Sequence, residues 1–521
     1  MRFLKPISAR VWAWLLPLVV LFVAAAVLTA HPATTPAATS TSRAQIVRPS
    51  VVTVTISPRA PTTRIPRSFL GFSTEYWTLP VDERHTLLYE RLLTLVHVPG
   101  DGPFVLRIGG DSSDQAVWDP DARRLPPWAF AVTPAFVKRT AGIVRRLHLR
   151  VILDINTLSA TPKSAAAFVR AAKALLPPGS IIGYAIGNEP DLYTRAAWTS
   201  ILRGSSFYIE RLPPVETPRR LILDYDKFAR AVSRATPGVP LMGVALAHPY
   251  TNLKWDADLV ARANPKLRAI TIHRYPYSEC SAPGTATYPT VQKLLSEAAT
   301  AGDAARIKPT VALARRAGLP VRLSELNSVT CGGTPGVSNT FATALWFPDA
   351  VFEFARAGVS AVNLHVRAYT INAPFSFDRA GVSARPLLYG ILLFRRMLGP
   401  GSRLVDVNTR SGSRAHLKVW AVRVGAHVLN VLLINKGTTS TTVHLDLPAT
   451  RAASVIRLLA PSAASESGET LAGQRLSDQL TWIGRRRVET IRGAGGEYSV
   501  SVRGQSAAML TVRVDAAVAG S

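Results

Sequence analysis

The stretch VILDINTLSATPKSAAAFVRAAKALLPPGSIIGYAIGNEP, residues 151–190, decides how the chain folds. It opens on a short apolar run at 151–155, passes through an amphipathic segment of helix length at 162–176, and returns to a second strand candidate at 181–186. Strand, helix and strand in that order make one repeat of a parallel sheet. The alternation continues on both sides, with strand candidates at 69–74, 105–109, 241–245, 269–273, 321–324 and 361–365 and amphipathic stretches at 134–147, 226–235, 290–301 and 341–357. Eight such strands close into a (β/α)8 TIM barrel of the α/β class. An open doubly wound sheet fits less well. No Gly-rich dinucleotide loop follows the first strand, and polar residues stand at the C-terminal ends of many strands rather than at one switch point.

After a helical stretch at 386–397 the apolar period changes to two. Ala415, Leu417, Val419 and Ala421 share one face, as do Thr441, Val443, Leu445 and Leu447, and then Tyr498, Val500 and Val502. Turn residues such as Gly412, Gly425, Gly437, Pro461 and Gly504 separate these runs, so the C-terminal part is expected to be an antiparallel β-sandwich. Residues 51–56 alternate too and are a candidate extra strand for that sandwich. The expected organisation is therefore an export segment at 1–30, a linker at 31–48, an N-terminal strand segment at 49–66, a catalytic barrel at 67–398 and a sandwich at 399–521.

With 521 residues, 47% of them hydrophobic, the chain can bury a barrel core and one accessory domain. Its formal charge of +28 is carried mostly by Arg spread along the sequence. Such a field attracts acidic polymers, including an anionic cell-surface polymer, without sequence selectivity; the plainer reading is a solvated Arg-rich surface, and both stand. No nucleic-acid reading motif accompanies the charge, so no specific nucleic-acid partner is expected. Arg2, Lys5 and Arg10 precede a charge-free apolar run at 11–30 that is long enough to span a bilayer. A cleaved signal peptide and a retained anchor both fit it, and both put everything beyond residue 30 outside the cytoplasm, secreted or anchored. Membrane contact is expected only through residues 11–30, and only if they are uncleaved. Residues 31–48, rich in Ala, Thr, Ser and Pro, read as a flexible spacer.

The two cysteines, Cys280 and Cys331, fall in loops that the barrel puts side by side, and in an oxidising compartment they are expected to form a disulfide; two free thiols are the alternative. They are too few for a Cys-based metal site, and no metal or cofactor is expected.

Two carboxylates carry the chemistry. Glu189, in Gly187-Asn188-Glu189-Pro190, follows the fourth strand directly, and Glu325, in Ser324-Glu325-Leu326-Asn327, ends the seventh. Acids at the C-terminal ends of barrel strands point into the mouth, and strands four and seven lie across it from one another. Acetal hydrolysis needs such a pair, one carboxyl to protonate the departing oxygen and the other to stabilise or attack the anomeric carbon.

The longer motifs resemble glycoside hydrolase family 79, the family of β-glucuronidases and heparanases, within the clan of retaining barrel glycosidases. They are LRIGGDSSD at 106–114 followed by WDP at 118–120, HRYP at 273–276, and SELNSVTCGGTPGVSNTF at 324–341. The resemblance implies a retaining hydrolase of β-linked glucuronic acid or a related uronic acid, with a uronic-acid-containing glycan or glycoside as its partner. It implies Glu189 as acid/base, Glu325 as nucleophile and Tyr275 as the hydrogen-bond partner of Glu325. Glu75 and Asp111 would bind sugar hydroxyls, and Asn188 the hydroxyl next to the anomeric centre. The backbone N–H groups of Gly332 and Gly333 would receive the uronate carboxylate. One departure concerns the loop after strand eight, where Asn372 and Ala373 precede Pro374-Phe375 in place of the family's tyrosine; Tyr369 lies nearby. His365, at the end of strand eight, either lines the site or is a satisfied core histidine, and the second reading is preferred. The rival readings are an arabinofuranosidase- or xylosidase-like enzyme of the same clan, and a catalytically silent protein that binds acidic glycans.

Overall fold

The computed structural model describes residues 50–514, apart from residues 58, 59, 61, 122, 200, 201, 203–209, 211, 214, 215, 412–415 and 450. The expected export segment and spacer, residues 1–30 and 31–48, lie outside the described residues. Among those described, no helix is long and apolar enough to cross a membrane.

Eight strands close a parallel barrel: β1 (Leu70–Glu75), β2 (Val105–Gly109), β3 (Arg150–Ile155), β4 (Ile181–Ile186), β5 (Leu241–Leu246), β6 (Ala269–Arg274), β7 (Val321–Leu326) and β8 (Ala361–His365). Each pairs with its neighbours in sequence, and β8 pairs with β1. β1, β2, β5, β6 and β8 are buried along their whole length, because helices cover the outside and side chains fill the inside.

The helices after the successive strands are α1 (Thr86–Val96), α2 (Pro134–Arg146), α3 (Pro162–Leu175), α4 (Pro218–Ala235), α5 (Leu253–Arg262), α6 (Lys308–Arg316), α7 (Phe341–Arg356) and α8 (Pro386–Met397). Three of them begin at a Thr-Pro pair. Thr133, Thr161 and Thr217 accept from backbone N–H groups three residues on, and the following Pro supplies the first helical φ without wasting a donor. That cap is why α4 starts at Pro218, eight residues before the expected 226. The helix expected over 290–301 is broken into Val291–Leu294 and a 3-10 turn at Glu297–Ala299. The Ala299 carbonyl accepts from the indole of Trp346 (2.9 Å) instead of continuing a helix, and the helical cover of this repeat comes from Ala301–Arg306 and α6.

The second domain is a sandwich. One sheet has the order Asn408–Ser411, Ser50–Thr55, Thr441–Asp446, Glu497–Val502. The segment before the barrel therefore sits inside the C-terminal domain, and its pairing with Thr441–Asp446 is parallel, so the sandwich is not wholly antiparallel as expected. The facing eight-stranded sheet is centred on Leu417–Val424, Val428–Asn435 and Ser506–Arg513; Ala415, expected in the first of these, lies outside the described residues. Both faces of this sheet are covered. Val431, Leu433 and Leu510 point into the sandwich core, while Leu432, Ile434 and Met509 join the core of the barrel. Alternate side chains thus weld the two domains together.

Candidate active site

Backbone geometry aims the two glutamates. Glu189 has φ +47°, in the left-handed region that a non-glycine residue enters at a cost of about 1 kcal/mol. It is held there by its N–H, which donates to the Ala245 carbonyl of β5 (3.1 Å), and by its carbonyl, which accepts from Leu192 (2.8 Å). In β7 a bulge at Ser324 moves the register by one, so that Glu325 rather than Ser324 lies beside His273 of β6.

The two side chains meet at His273. Its Nδ1 lies 2.7 Å from Glu189 Oε1 and 3.6 Å from Glu325 Oε2, and one ligand atom from each of these three residues falls within 4.8 Å of the others. Tyr275 Oη donates to Glu325 Oε2 (2.7 Å) and Arg107 Nη1 to Glu325 Oε1 (2.6 Å). Arg107 is completely buried. It also donates to Ser73 Oγ (2.9 Å) and to Asn188 Oδ1 (2.7 Å), and it forms a bidentate pair with Asp154 of β3. Asp154 fits because position 109 is glycine: a Cβ there would stand 2.1 Å from the Asp154 carboxylate.

These surroundings drive the two carboxylates apart. Burial, with the charge of Glu325 and then of Asp191, pushes Glu189 up to about 8. Burial would also raise Glu325, but in the acid range where it titrates His273 is protonated too, and its charge with those of His365 and Arg107, together with the Tyr275 hydrogen bond, outweighs burial and holds Glu325 well below the usual carboxylate range. Burial lowers His273 to about 4. At neutral pH the proton shared between Glu189 and His273 therefore sits on Glu189, and Glu325 is ionised. A protonated acid facing an ionised carboxylate is the division of labour that glycoside cleavage uses. Glu189, His273 and Glu325 also form a set of potential metal ligands. Arg107 and Tyr275 already occupy both oxygens of Glu325, and the guanidinium opposes a second cation there.

The other expected residues divide into groups. Tyr275 and Asn188 belong to the network just described. Glu75 is nearly inaccessible at 1% exposure: its Oε2 accepts from the Ser112 N–H (2.7 Å), and its Oε1 lies 3.5 Å from His365 Nε2. Asp111 is at the rim, 3.5 Å from Arg367, whose guanidinium lies over the Trp77 ring. Gly332 and Gly333 have φ +85° and +90°. A Cβ on Gly333 would meet Asn372 at 2.7 Å and Ser338 Oγ at 2.9 Å, so close packing and the positive φ both require the glycine. The Gly333 N–H donates to the Thr330 carbonyl (3.1 Å), closing a turn, which commits one of the two donors expected to hold a carboxylate. Cys280 and Cys331 are joined in a disulfide, with Cα atoms 6.1 Å apart. Beside it Tyr277–Ser278 and Val329–Thr330 pair as a short parallel ribbon, tying the β6 and β7 loops together. Tyr369 is 74% exposed.

For His365 the structure overturns the preferred reading of a satisfied core histidine in favour of the alternative, a residue lining the site. Its Nδ1 stands 3.5 Å from Glu325 Oε1 and its other nitrogen faces Glu75, so it is part of the nucleophile's surroundings. Sequence reasoning also missed Arg107, Asp154, His273 and Asp191 as site residues. Arg107 and His273 stood inside the quoted motifs, and a charged residue within an otherwise apolar barrel strand was the signal to follow. Asp191 accepts from the N–H groups of Ala247 and His248 (3.0 Å each) and from Asn252 (2.9 Å), anchoring the Glu189 loop to the loop after β5.

Comparison with known proteins agrees with this architecture. The profile of the glycosyl hydrolase family 79 C-terminal beta domain matches residues 419–509. A β-glucuronidase of Aspergillus niger is 25% identical over 416 residues, 72% of this chain and 73% of that one. Among solved structures, a 4-O-α-L-rhamnosyl-β-D-glucuronidase of Fusarium oxysporum superposes with a TM-score of 0.69 at 19% identity, covering 88% of this chain and all of that one. A family 51 α-L-arabinofuranosidase of Bifidobacterium longum gives 0.64 at 13% identity, covering 89% of this chain and all of that one. With the barrel and the sandwich in agreement, this chain is a glycoside hydrolase whose C-terminal domain matches the β domain of family 79.

Proposed function

We propose that the enzyme hydrolyses β-linked glucuronides, or glycosides of a related uronic acid, with retention of configuration. The observation that carries this reading is the closeness of the two carboxylates: their facing atoms lie within 4.8 Å. That spacing suits direct attack by one carboxylate, whereas inversion needs a gap of roughly 6.5–9.5 Å to admit a water. In the first step a Glu325 oxygen bonds to the anomeric carbon as the C–O bond to the leaving group breaks, and Glu189 gives its proton to the departing oxygen. In the second, the Glu189 carboxylate takes a proton from water, the water oxygen bonds to the anomeric carbon, and Glu325 leaves. Tyr275 and Arg107 hold the attacking carboxylate by both oxygens. Asn188 has its amide oxygen fixed by Arg107, which leaves the amide NH2 for the sugar hydroxyl next to the reacting carbon. The uronate preference draws support from the Aspergillus relative and from the Gly332 N–H, which has no hydrogen-bond partner among the described residues.

The test is hydrolysis of 4-nitrophenyl β-D-glucuronide against the β-D-glucoside, with the first-formed sugar followed by NMR. Faster turnover of the glucuronide and initial release of the β-anomer support the reading. Turnover of the glucoside or an arabinofuranoside alone removes the uronate assignment, and initial release of the α-anomer removes retention.

A further inference from the structure

Behind the barrel mouth, the last turn of α8 and the eight-stranded sheet enclose a recess of about 270 Å³. Barrel helices run back from the mouth to the opposite end, so a recess at the C-terminal turn of α8 is remote from Glu189 and Glu325. Its walls carry two arginines, Arg396 from α8 and Arg486 from the loop that follows Trp482–Ile483. Ile456 and Met509 supply apolar surface, and Ser454 and Thr511 supply hydroxyls. No carboxylate is among the lining residues.

The charge here is uncompensated. Arg396 Nη1 is buried without a hydrogen-bond acceptor among the described residues, although its guanidinium is fixed over the ring of Trp482, 5.1 Å from the centroid. Burial lowers Arg396 to about 10, and the charges of Arg395 and Arg486 press in the same direction. Glu489, the acid nearest in sequence to Arg486, is taken up by Arg457, which it accepts from at 2.5 and 2.8 Å. Nη1 itself is covered, but no other nitrogen of the Arg396 or Arg486 guanidinium makes a hydrogen bond among the described residues, so an anion in the recess would supply the acceptor that the protein withholds. The apolar surface and hydroxyls around the arginines favour an anion borne on a ring with both apolar faces and polar edges, rather than a bare inorganic ion.

We infer that this recess binds an acidic sugar unit, with its carboxylate on Arg396 and Arg486 and its ring against Ile456 and Met509, as a second glycan site distinct from the barrel mouth. Such a site would let the enzyme ride on an acidic polysaccharide while the mouth works elsewhere on the same chain, raising the effective concentration of substrate. The inference does not depend on which glycoside the mouth cleaves.

The experiment is affinity electrophoresis of the full chain through gels cast with hyaluronan, a carboxylated polysaccharide, or with neutral hydroxyethylcellulose. It is run on the Glu325→Gln background so that the polymer stays intact. Retardation by hyaluronan only is expected. Arg486→Gln, in an exposed loop, should weaken it at least fivefold, and Arg396→Gln with Arg486→Gln should abolish it. Arg475→Gln removes the same charge outside the recess and should leave retardation within twofold. In the otherwise wild-type enzyme, Arg486→Gln should leave kcat/KM on 4-nitrophenyl β-D-glucuronide unchanged. Should that substrate prove inert, the proposed function fails while the gel result still judges the recess. Equal weakening by Arg475→Gln, equal retardation in the neutral gel, or full retardation of Arg486→Gln would each overturn the inference.

Discussion

Where α7 meets the sandwich, Asp349 accepts from Lys436 Nζ at 2.5 Å and from the Trp420 indole at 2.8 Å, with Lys418 at 3.9 Å. At the barrel mouth, Glu325 accepts from Arg107 at 2.6 Å and from Tyr275 at 2.7 Å. In bare geometry the two clusters are alike, each a buried carboxylate gripped by a cation and an aromatic donor. Burial opposes ionisation of Asp349, and Lys436 and Lys418 overcome it, so Asp349 is held ionised and the cluster has one protonation state. The mouth adds a second carboxylate, Glu189, that has no cation of its own and is pushed up to about 8. A buried ion pair is therefore no signature of catalysis, whereas two neighbouring acids driven in opposite directions are.

The sharpest way to break this comparison is Glu325→Gln. We expect kcat/KM on 4-nitrophenyl β-D-glucuronide to fall by ~10⁴-fold or more with little change in Tm; surviving turnover would make the mouth no more catalytic than the seam. Glu189→Ala should cost about 10²–10⁴-fold, and added azide should restore rate while yielding the β-glycosyl azide. If azide gives neither rescue nor adduct, Glu189 is not the acid/base. Asp349→Ala should do the reverse of both. Leaving Lys436 buried and unpaired destabilises the fold by about 3–5 kcal/mol in denaturant titration, while kcat per folded molecule stays the same.

A pH profile sharpens the contrast further. Glu189 is protonated below about 8, so kcat/KM should decline as pH rises through that value, and Glu325, ionised far into the acid range, should limit the rate only at low pH. The basic limb should vanish in Glu189→Ala, and a limb that persists there belongs to another group. The smallest effect is expected from His365→Gln. Losing that positive neighbour should move the acid limb upward by up to ~1 pH unit and change kcat more than KM, a pattern that a purely packing role would not produce.

The parts of the site that are legible in the sequence share one property: they occupy the ends of strands. Glu189 and Glu325 follow runs whose length and composition mark them as barrel strands, so their direction follows from topology. Arg107 and Asp154 lie within such runs, where a lone charge reads as an irregularity in a strand. Their meaning depends on partners 47 and 218 positions away. The sequence offers two readings of His365 and cannot choose between them for the same reason, since its neighbours Glu75 and Glu325 come from β1 and β7, on either side of it in the closed barrel but far away along the chain. The glycine pair is recognisable as a bend. That the Gly333 N–H is spent on Thr330 follows only from the folded loop.

Periodicity and composition settled the sequence's share: how many strands there are, that helices separate them, and where the pattern turns from barrel to sandwich. These are local properties of the chain, set by which side chains recur on one face. The parallel pairing of Ser50–Thr55 with Thr441–Asp446, the pairing of Arg107 with Glu325, and the opposite protonation states of two identical side chains were decided by the tertiary structure alone. Electrostatic energy depends on distance and burial in space, and no spacing along the polymer encodes either.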